Sequence, residues 1–219
     1  MNSTNLYFNP MTVNSIKISL LVNALNLAMH FEHVVLHKAN AKSDAFLKLN
    51  PTGKVPVLVD DNLVLTESNA ILKYLAHKHD SSLWPSDAVL QAQVLKWMFY
   101  QGGDWNKTVG AFSHRRVVLP HWGFNQQQLL SPQQLLDFHD ILHQLDLALA
   151  GRSVLVGSEI SIADICLGSY FMFSKESQMP LDNFVNVRRW LSHLQNTPWW
   201  QQTAQSLEDI LNSSENCPV

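Results

Sequence analysis

Cysteine is nearly missing from this chain. Its 219 residues hold two, Cys166 and Cys217, too far apart in sequence to suggest a disulfide framework. Residues 1–80 hold none, which excludes chemistry there that turns on a protein thiolate. Cys217 is third from the end and misses the four-residue prenylation signal. An excess of one charge is missing as well: 15 Lys and Arg against 18 Asp and Glu leave a formal charge of −3. The basic residues are scattered, apart from the pairs Arg115-Arg116 and Arg188-Arg189. Such a chain has no bulk attraction for nucleic acid or an anionic membrane. No apolar run approaches the roughly 20 residues of a membrane span. The opening MNSTNLYFNP lacks the cationic stretch and apolar core of a secretory signal. Internal repeats and low-complexity tracts are absent too. What is present, 46% apolar and 15% charged residues, is the composition of a globular protein, expected to be soluble and cytoplasmic.

Leu6-Tyr7-Phe8 reads as a short strand ended by Asn9-Pro10. From Asn14 to about Met29 apolar residues recur at helical spacing (Ile18, Leu21, Val22, Leu25). His33 to Leu36 reads as a second strand and Ser43 to Leu49 as a short helix. Val55, Val57 and Val59 alternate up to a turn at Asp61-Asn62, and Leu63-Val64-Leu65 run back, which predicts an antiparallel hairpin. Glu67 to about His79 is helical again. Ser81 to Pro85 is polar and proline-marked, a linker signal. Beyond it the spacing predicts helices over 87–110, 131–150, 161–175, 184–195 and 199–211, and no strand. Ser161-Ile162-Ala163-Asp164 has the form of a capping box, with Ile160 and Ile165 as its hydrophobic staple. The expected organisation is a mixed α/β domain over residues 1–80, a linker over 81–87 and an all-helical domain over 88–219.

Two places in the first domain invite chemistry. Proline removes a ladder donor and is normally kept out of central strands, yet Pro56 sits inside the hairpin. It is either an edge-strand proline or a cis proline, which would turn the backbone of Val55 toward an extended, peptide-like ligand. Glu67-Ser68 stands where the hairpin meets a helix, and a helix start offers unpaired N–H groups and a favourable dipole to an anion. The pair is either an ordinary cap or a site in which Ser68 takes a carboxylate and Glu67 an ammonium. Together those charges match an α-amino-acid head group.

The stretch LNPTGKVPVLVDDNLVLTESNAIL resembles the glutathione-binding half of the glutathione transferase family, in which NP-x-G-[KQ]-[VI]-P precedes an E-S pair opening a helix. SEISIADICLG resembles that family's capping box. The resemblance runs from Leu6 to Trp200 and implies a thioredoxin-like domain followed by a helical bundle, assembled as a homodimer. It implies that glutathione is the co-substrate, with no metal. Val55, ahead of Pro56, would pair through its backbone with the cysteinyl part. Glu67 and Ser68 would hold the γ-glutamyl end, and Lys54 and Lys42 would lie near the glycine carboxylate. The histidine many members carry just before that lysine is Ala41 here.

Only the thiolate of glutathione is a good nucleophile. A free thiol has a pKa of about 8.5, and lowering it by ~2 units takes about 2.7 kcal/mol, within reach of one or two hydrogen bonds and a helix start. The segment between the first strand and helix offers Thr12, Asn14 and Ser15, with Tyr7 further back. T-x-N-x-x-K-I resembles the nu-class bacterial group, and Thr12 falls where theta- and phi-like members carry a serine. The resemblance therefore points to Thr12 as donor with Asn14 assisting; without it, both residues read as helix caps. The acceptor-site wall is expected from Trp97, Tyr100, Gln101, Asp104, Trp105 and His114, although aromatics at helical spacing are commonly core. His139 and His143 are spaced to hold a metal, but no third ligand or HExxH motif joins them. Cys166 reads as a small core residue. The expected activity is conjugation of glutathione to a small hydrophobic electrophile. The alternatives are glutathione-dependent disulfide reduction in the nu manner and a non-catalytic binding module on the same fold.

Overall fold

The computed structural model describes residues 4–36, 43–124 and 130–213. A four-stranded sheet comes first, in the spatial order β2-β1-β3-β4. Its strands are β1 (Asn5–Phe8), β2 (His30–His33), β3 (Val57–Asp60) and β4 (Leu63–Leu65), and its helices are α1 (Val13–Ala24), α2 (Asp44–Leu49) and α3 (Ser68–Lys78). β2 runs parallel to β1, from Asn5↔His30 to Phe8↔His33. β3 lies antiparallel on the other side of β1, with Leu6 opposite Leu58 and Tyr7 opposite Val57. The hairpin closes through Asp61, at φ 54°, a left-handed position that a short polar side chain tolerates.

Alternation along β1 divides the two faces of the sheet. Leu6 points into the main core with Ile16, Leu20, Ile71 and Leu75. Tyr7 points the other way, into a small core of Val34, Phe46, Val55 and Val57 that includes Phe46 of α2.

Within residues 1–80 two boundaries differ by several residues from the spacing-based expectation. α1 stops at Ala24 because Asn26 adopts φ 49° and the chain turns back, with Leu27 N–H donating to Val22 O (3.0 Å) and Asn26 N–H to Asn23 O (3.2 Å). That pair of bonds closes a helix with a left-handed residue after its end. β2 occupies 30–33 rather than 33–36, where pairing with β1 sets its register.

Among the described residues no strand follows β4. The rest is helical: α4 (Ala88–Tyr100), α5 (Asn106–Ser113), α6 (Leu119–His121), α7 (Pro132–Ala148), α8 (Ile162–Gly168), α9 (Val185–Gln195) and α10 (Pro198–Asn212). A π-type turn at Gln101–Trp105 joins α4 to α5 and is kinked at Gly103, whose φ −87° and ψ −123° are not helical. Both halves of the capping box at Ser161 and Asp164 are formed. α1 packs against α3 on one side and against α8 and α10 on the other, so the helical part covers the helix layer of the sheet. No helix among the described residues is long and apolar enough to cross a membrane.

Candidate functional site

One end of the sheet gathers the residues singled out above. β1 ends at Phe8 and leads into the loop before α1. Because β3 is antiparallel to β1, its register extended past Tyr7↔Val57 runs toward Val55 at that same end. The pairing Leu58↔Leu65 brings the end of β4, and with it Glu67 and Ser68, there too.

Asn9 shapes the loop before α1. It is buried, donates through Nδ2 to Val34 O (3.0 Å), accepts from Met11 N–H (3.0 Å) and presents its own N–H to Ser15 Oγ (3.2 Å). Thr12 is the residue preceding α1, but its side chain does not cap the helix. Its hydroxyl lies 3.0 Å from Asn9 O and 2.8 Å from Ser15 Oγ, and has one proton to share between them. Ser15 itself is fully buried, and Tyr7 packs its ring against Phe46 at 5.9 Å. Thr12 and Asn14 remain half-buried.

Asn14 reaches across to α3, where its Oδ1 accepts from Ser68 Oγ at 3.2 Å. The amide thus directs its oxygen to Ser68 and leaves its two N–H donors on the other side. Glu67 precedes α3 at φ 66°, ψ 108°, and no side chain caps that helix. A glutamate held in this region is strained, and such positions concentrate at functional sites. Ser68 is buried, while Glu67 is exposed.

The Val55-Pro56 bond is cis. β3 begins only at Val57, so the backbone of Val55 stands ahead of the first paired residue of the ladder. The preceding turn is tied by Asn50 Nδ2 donating to Lys54 O at 2.7 Å, and the Lys54 side chain is exposed. Lys42 lies outside the described residues.

The six acceptor-wall candidates have different surroundings. Trp97 is buried, with Lys96 Nζ 4.5 Å above its ring and Tyr100 edge-on at 5.7 Å. Tyr100 is half-buried, yet its hydroxyl is enclosed and has no hydrogen-bond partner among the described residues. Burial and the Asp104 carboxylate raise its pKa, which keeps the phenol neutral. Asp104 is exposed. Trp105 is fully buried, edge-on to Tyr170 and Phe171, and its Nε1 also lacks a partner among the described residues. The two unpaired groups bracket the kinked turn at Gly103. His114 lies further along, edge-on to Trp122, and burial followed by the Arg115 charge holds its pKa low. Gln101 is drawn into a buried cluster with Lys17, Asn69, Cys166 and Tyr170. Spacing gave no sign of that cluster, because its five members come from four separate segments. The His139 and His143 rings stack at 6.3 Å, and among the described residues no three metal-ligating side chains converge.

A family model for the glutathione S-transferase N-terminal domain matches residues 2–77. Glutathione S-transferase D7 of Drosophila melanogaster is 26% identical, over 95% of this chain and 92% of its own length. A structure from Rhodopseudomonas palustris, described as a possible glutathione S-transferase, superposes with a TM-score of 0.81 at 27% identity, over 90% of this chain and 95% of that one. A glutathione transferase from Pseudomonas putida, solved with one glutathione disulfide per subunit, gives a TM-score of 0.80 at 26% identity, over 93% and 91% of the two chains.

Proposed function

Because this chain belongs to the glutathione S-transferase family and is a glutathione transferase, we propose that it conjugates the thiol of glutathione to a small hydrophobic electrophile. The backbone of Val55 pairs with the cysteinyl unit as an added strand. Ser68 and the start of α3 take the γ-glutamyl carboxylate, and Glu67 takes the ammonium. Lys54 and Lys42 serve the glycine carboxylate. Thr12 and Asn14 donate to the sulfur, stabilising the thiolate as the thiol proton leaves to solvent. The thiolate lone pair then forms the new carbon–sulfur bond, and the leaving group departs with its electron pair. Trp97, Tyr100 and Asp104 wall the acceptor, with Gln101 and Trp105 packed behind them and His114 further along.

The observation that carries this reading is the 3.2 Å bond from Ser68 Oγ to Asn14 Oδ1, which links the residue proposed for the γ-glutamyl end to one proposed for the thiol. Thr12→Ala and Asn14→Ala should each lower the rate with 1-chloro-2,4-dinitrobenzene on the order of a hundredfold, the usual effect of removing one donor to a developing or full negative charge. Wild-type rates in both variants would sink the assignment. Failure of the wild-type chain to bind glutathione calorimetrically would favour a non-catalytic module.

A second reading is disulfide reduction. The glutathione thiolate attacks a disulfide and forms a mixed disulfide with loss of one substrate thiolate; a second glutathione thiolate then attacks the glutathione sulfur of the mixed disulfide, forming glutathione disulfide as the other substrate thiolate leaves. The glutathione disulfide held by the Pseudomonas putida relative favours it. Turnover of 2-hydroxyethyl disulfide exceeding that of the aryl chloride would decide for it. In either case we take the active form to be a cytoplasmic homodimer, with residues 1–80 binding glutathione, 81–87 linking and 88–219 binding the acceptor.

A further inference from the structure

Lys17 is fully buried on α1, where a charged head group would normally be excluded. Its Nζ donates to Asn69 Oδ1 (2.9 Å) and Gln101 Oε1 (2.9 Å) and lies 3.8 Å from Cys166 Sγ. The Tyr170 ring centroid is 5.9 Å away. Among the described residues no carboxylate belongs to this hydrogen-bonded shell. Burial depresses the pKa of Lys17, whereas Cys166 and the nearby Glu67 carboxylate favour its charged form.

The groups around Lys17 are bonded to one another as well. Asn69 Nδ2 donates to Met98 O (2.9 Å) and Gln101 Oε1 (2.8 Å), and Cys166 Sγ donates toward Asn69 Oδ1 (3.2 Å). Gln101 Nε2 reaches Tyr170 Oη (2.5 Å), which donates to Asn106 Oδ1 (2.7 Å). Asn69 is therefore tied to α1, α4 and α8 at once. It is also the residue after Ser68, in the first turn of a helix that begins at a strained Glu67 and has no side-chain cap. A strained backbone persists only where its surroundings over-determine it. The tether on Asn69 supplies that constraint from one side.

We infer that Lys17 is a positioning residue for glutathione: through Asn69 it holds Glu67 and Ser68 in the geometry that receives the γ-glutamyl end. The inference rests on the glutathione-binding reading of Glu67 and Ser68.

Lys17→Met tests it. The side chain stays unbranched, is one atom shorter and loses its donors. Asn69 Oδ1 still accepts from Cys166, and Gln101 Oε1 from Asn69, so neither oxygen is orphaned and the variant should fold. The Kd for glutathione by calorimetry should weaken about tenfold, which is about 1.4 kcal/mol. KM for glutathione should rise alongside, with kcat at saturating glutathione and 1-chloro-2,4-dinitrobenzene staying within about twofold, because Thr12 and Asn14 are untouched. A merely destabilised variant has fewer active molecules and shows the opposite split, a lower kcat at unchanged KM. Should Lys17→Met fail to fold, Asn69→Ala cuts the same tether and should show the same rise in KM. Wild-type affinity in the folded variant, or the opposite split, overturns the role of Lys17. A wild-type chain that does not bind glutathione at all overturns the functional reading, and this inference with it.

Discussion

Asp164 shows how much can depend on one buried carboxylate. It is fully buried and accepts from Leu155 N–H (2.8 Å), Trp190 Nε1 (2.8 Å), Ser161 N–H (2.9 Å) and Ser161 Oγ (3.0 Å). Burial raises its pKa, and these donors act against that rise. Asp164→Ala would strand buried donors and should cost about 3–5 kcal/mol, read as a lower urea midpoint at unchanged slope. Asp164→Asn keeps one acceptor oxygen and should cost less. The Ser161–Asp164 half of this arrangement could be read from spacing alone, as could Val55, Glu67 and Ser68 as a candidate site. Trp190 and Leu155 could not, because nothing local connects them to Asp164. Lys17 is a harder case. A lysine in an apolar stripe reads as an outward residue, and its burial follows from Asn69, Gln101 and Cys166, which meet it only in the folded chain. Trp105 illustrates the reverse ambiguity: the same aromatic letter suits a ligand wall or a core, and its contacts with Tyr170 and Phe171 put it in the core.

At the scale of elements, the end of β3 is joined to α3 and to the start of β1 by Asp60. The carboxylate is buried and accepts from Tyr74 Oη (2.7 Å), Thr4 Oγ1 (3.0 Å) and the Lys78 ammonium. Burial alone would raise the pKa of Asp60, but the Lys78, Tyr74 and Thr4 hydrogen bonds outweigh it and hold the carboxyl below its usual value. A depressed carboxylate pKa stabilises the fold fully above the unfolded value of about 3.9 and loses that contribution as pH falls through the folded one. Asp60→Asn should therefore cost about 2 kcal/mol at pH 7. The gap to wild type in urea melts should close as the pH drops below roughly 4. A gap that stays constant down to pH 3 would show that ionisation of Asp60 is not the source. The order and type of the strands and helices up to α3 followed from periodicity, but several ends did not, and the helix expected over 87–110 is broken by the turn at Gln101–Trp105. α1 ends where Asn26 turns left-handed, and β2 lies where β1 pairs with it; its residues are all exposed, so no buried–exposed alternation marked its limits.

On the scale of the whole molecule, apolar side chains remain at the surface. Leu63 and Val64 are exposed on the edge strand β4, and Leu95 and Phe99 share one face of α4, with Phe99 78% exposed. An uncovered edge strand and an exposed phenylalanine are liabilities for a monomer, and the homodimer proposed above would cover them. Phe99→Glu should convert the protein to monomer in sedimentation velocity at micromolar concentration; a wild-type chain that already sediments as a monomer would exclude that assembly. The Ser68–Asn14 bond has a consequence for the molecule's choice among thiols. The bond fixes which way the Asn14 amide faces, so in the proposed binding mode the residue that meets the γ-glutamyl end also aims the N–H donors that meet the sulfur. Cysteine or cysteamine, with no γ-glutamyl arm, would reach those donors without the contacts proposed at Glu67 and Ser68, and the proposed site would hold them more weakly.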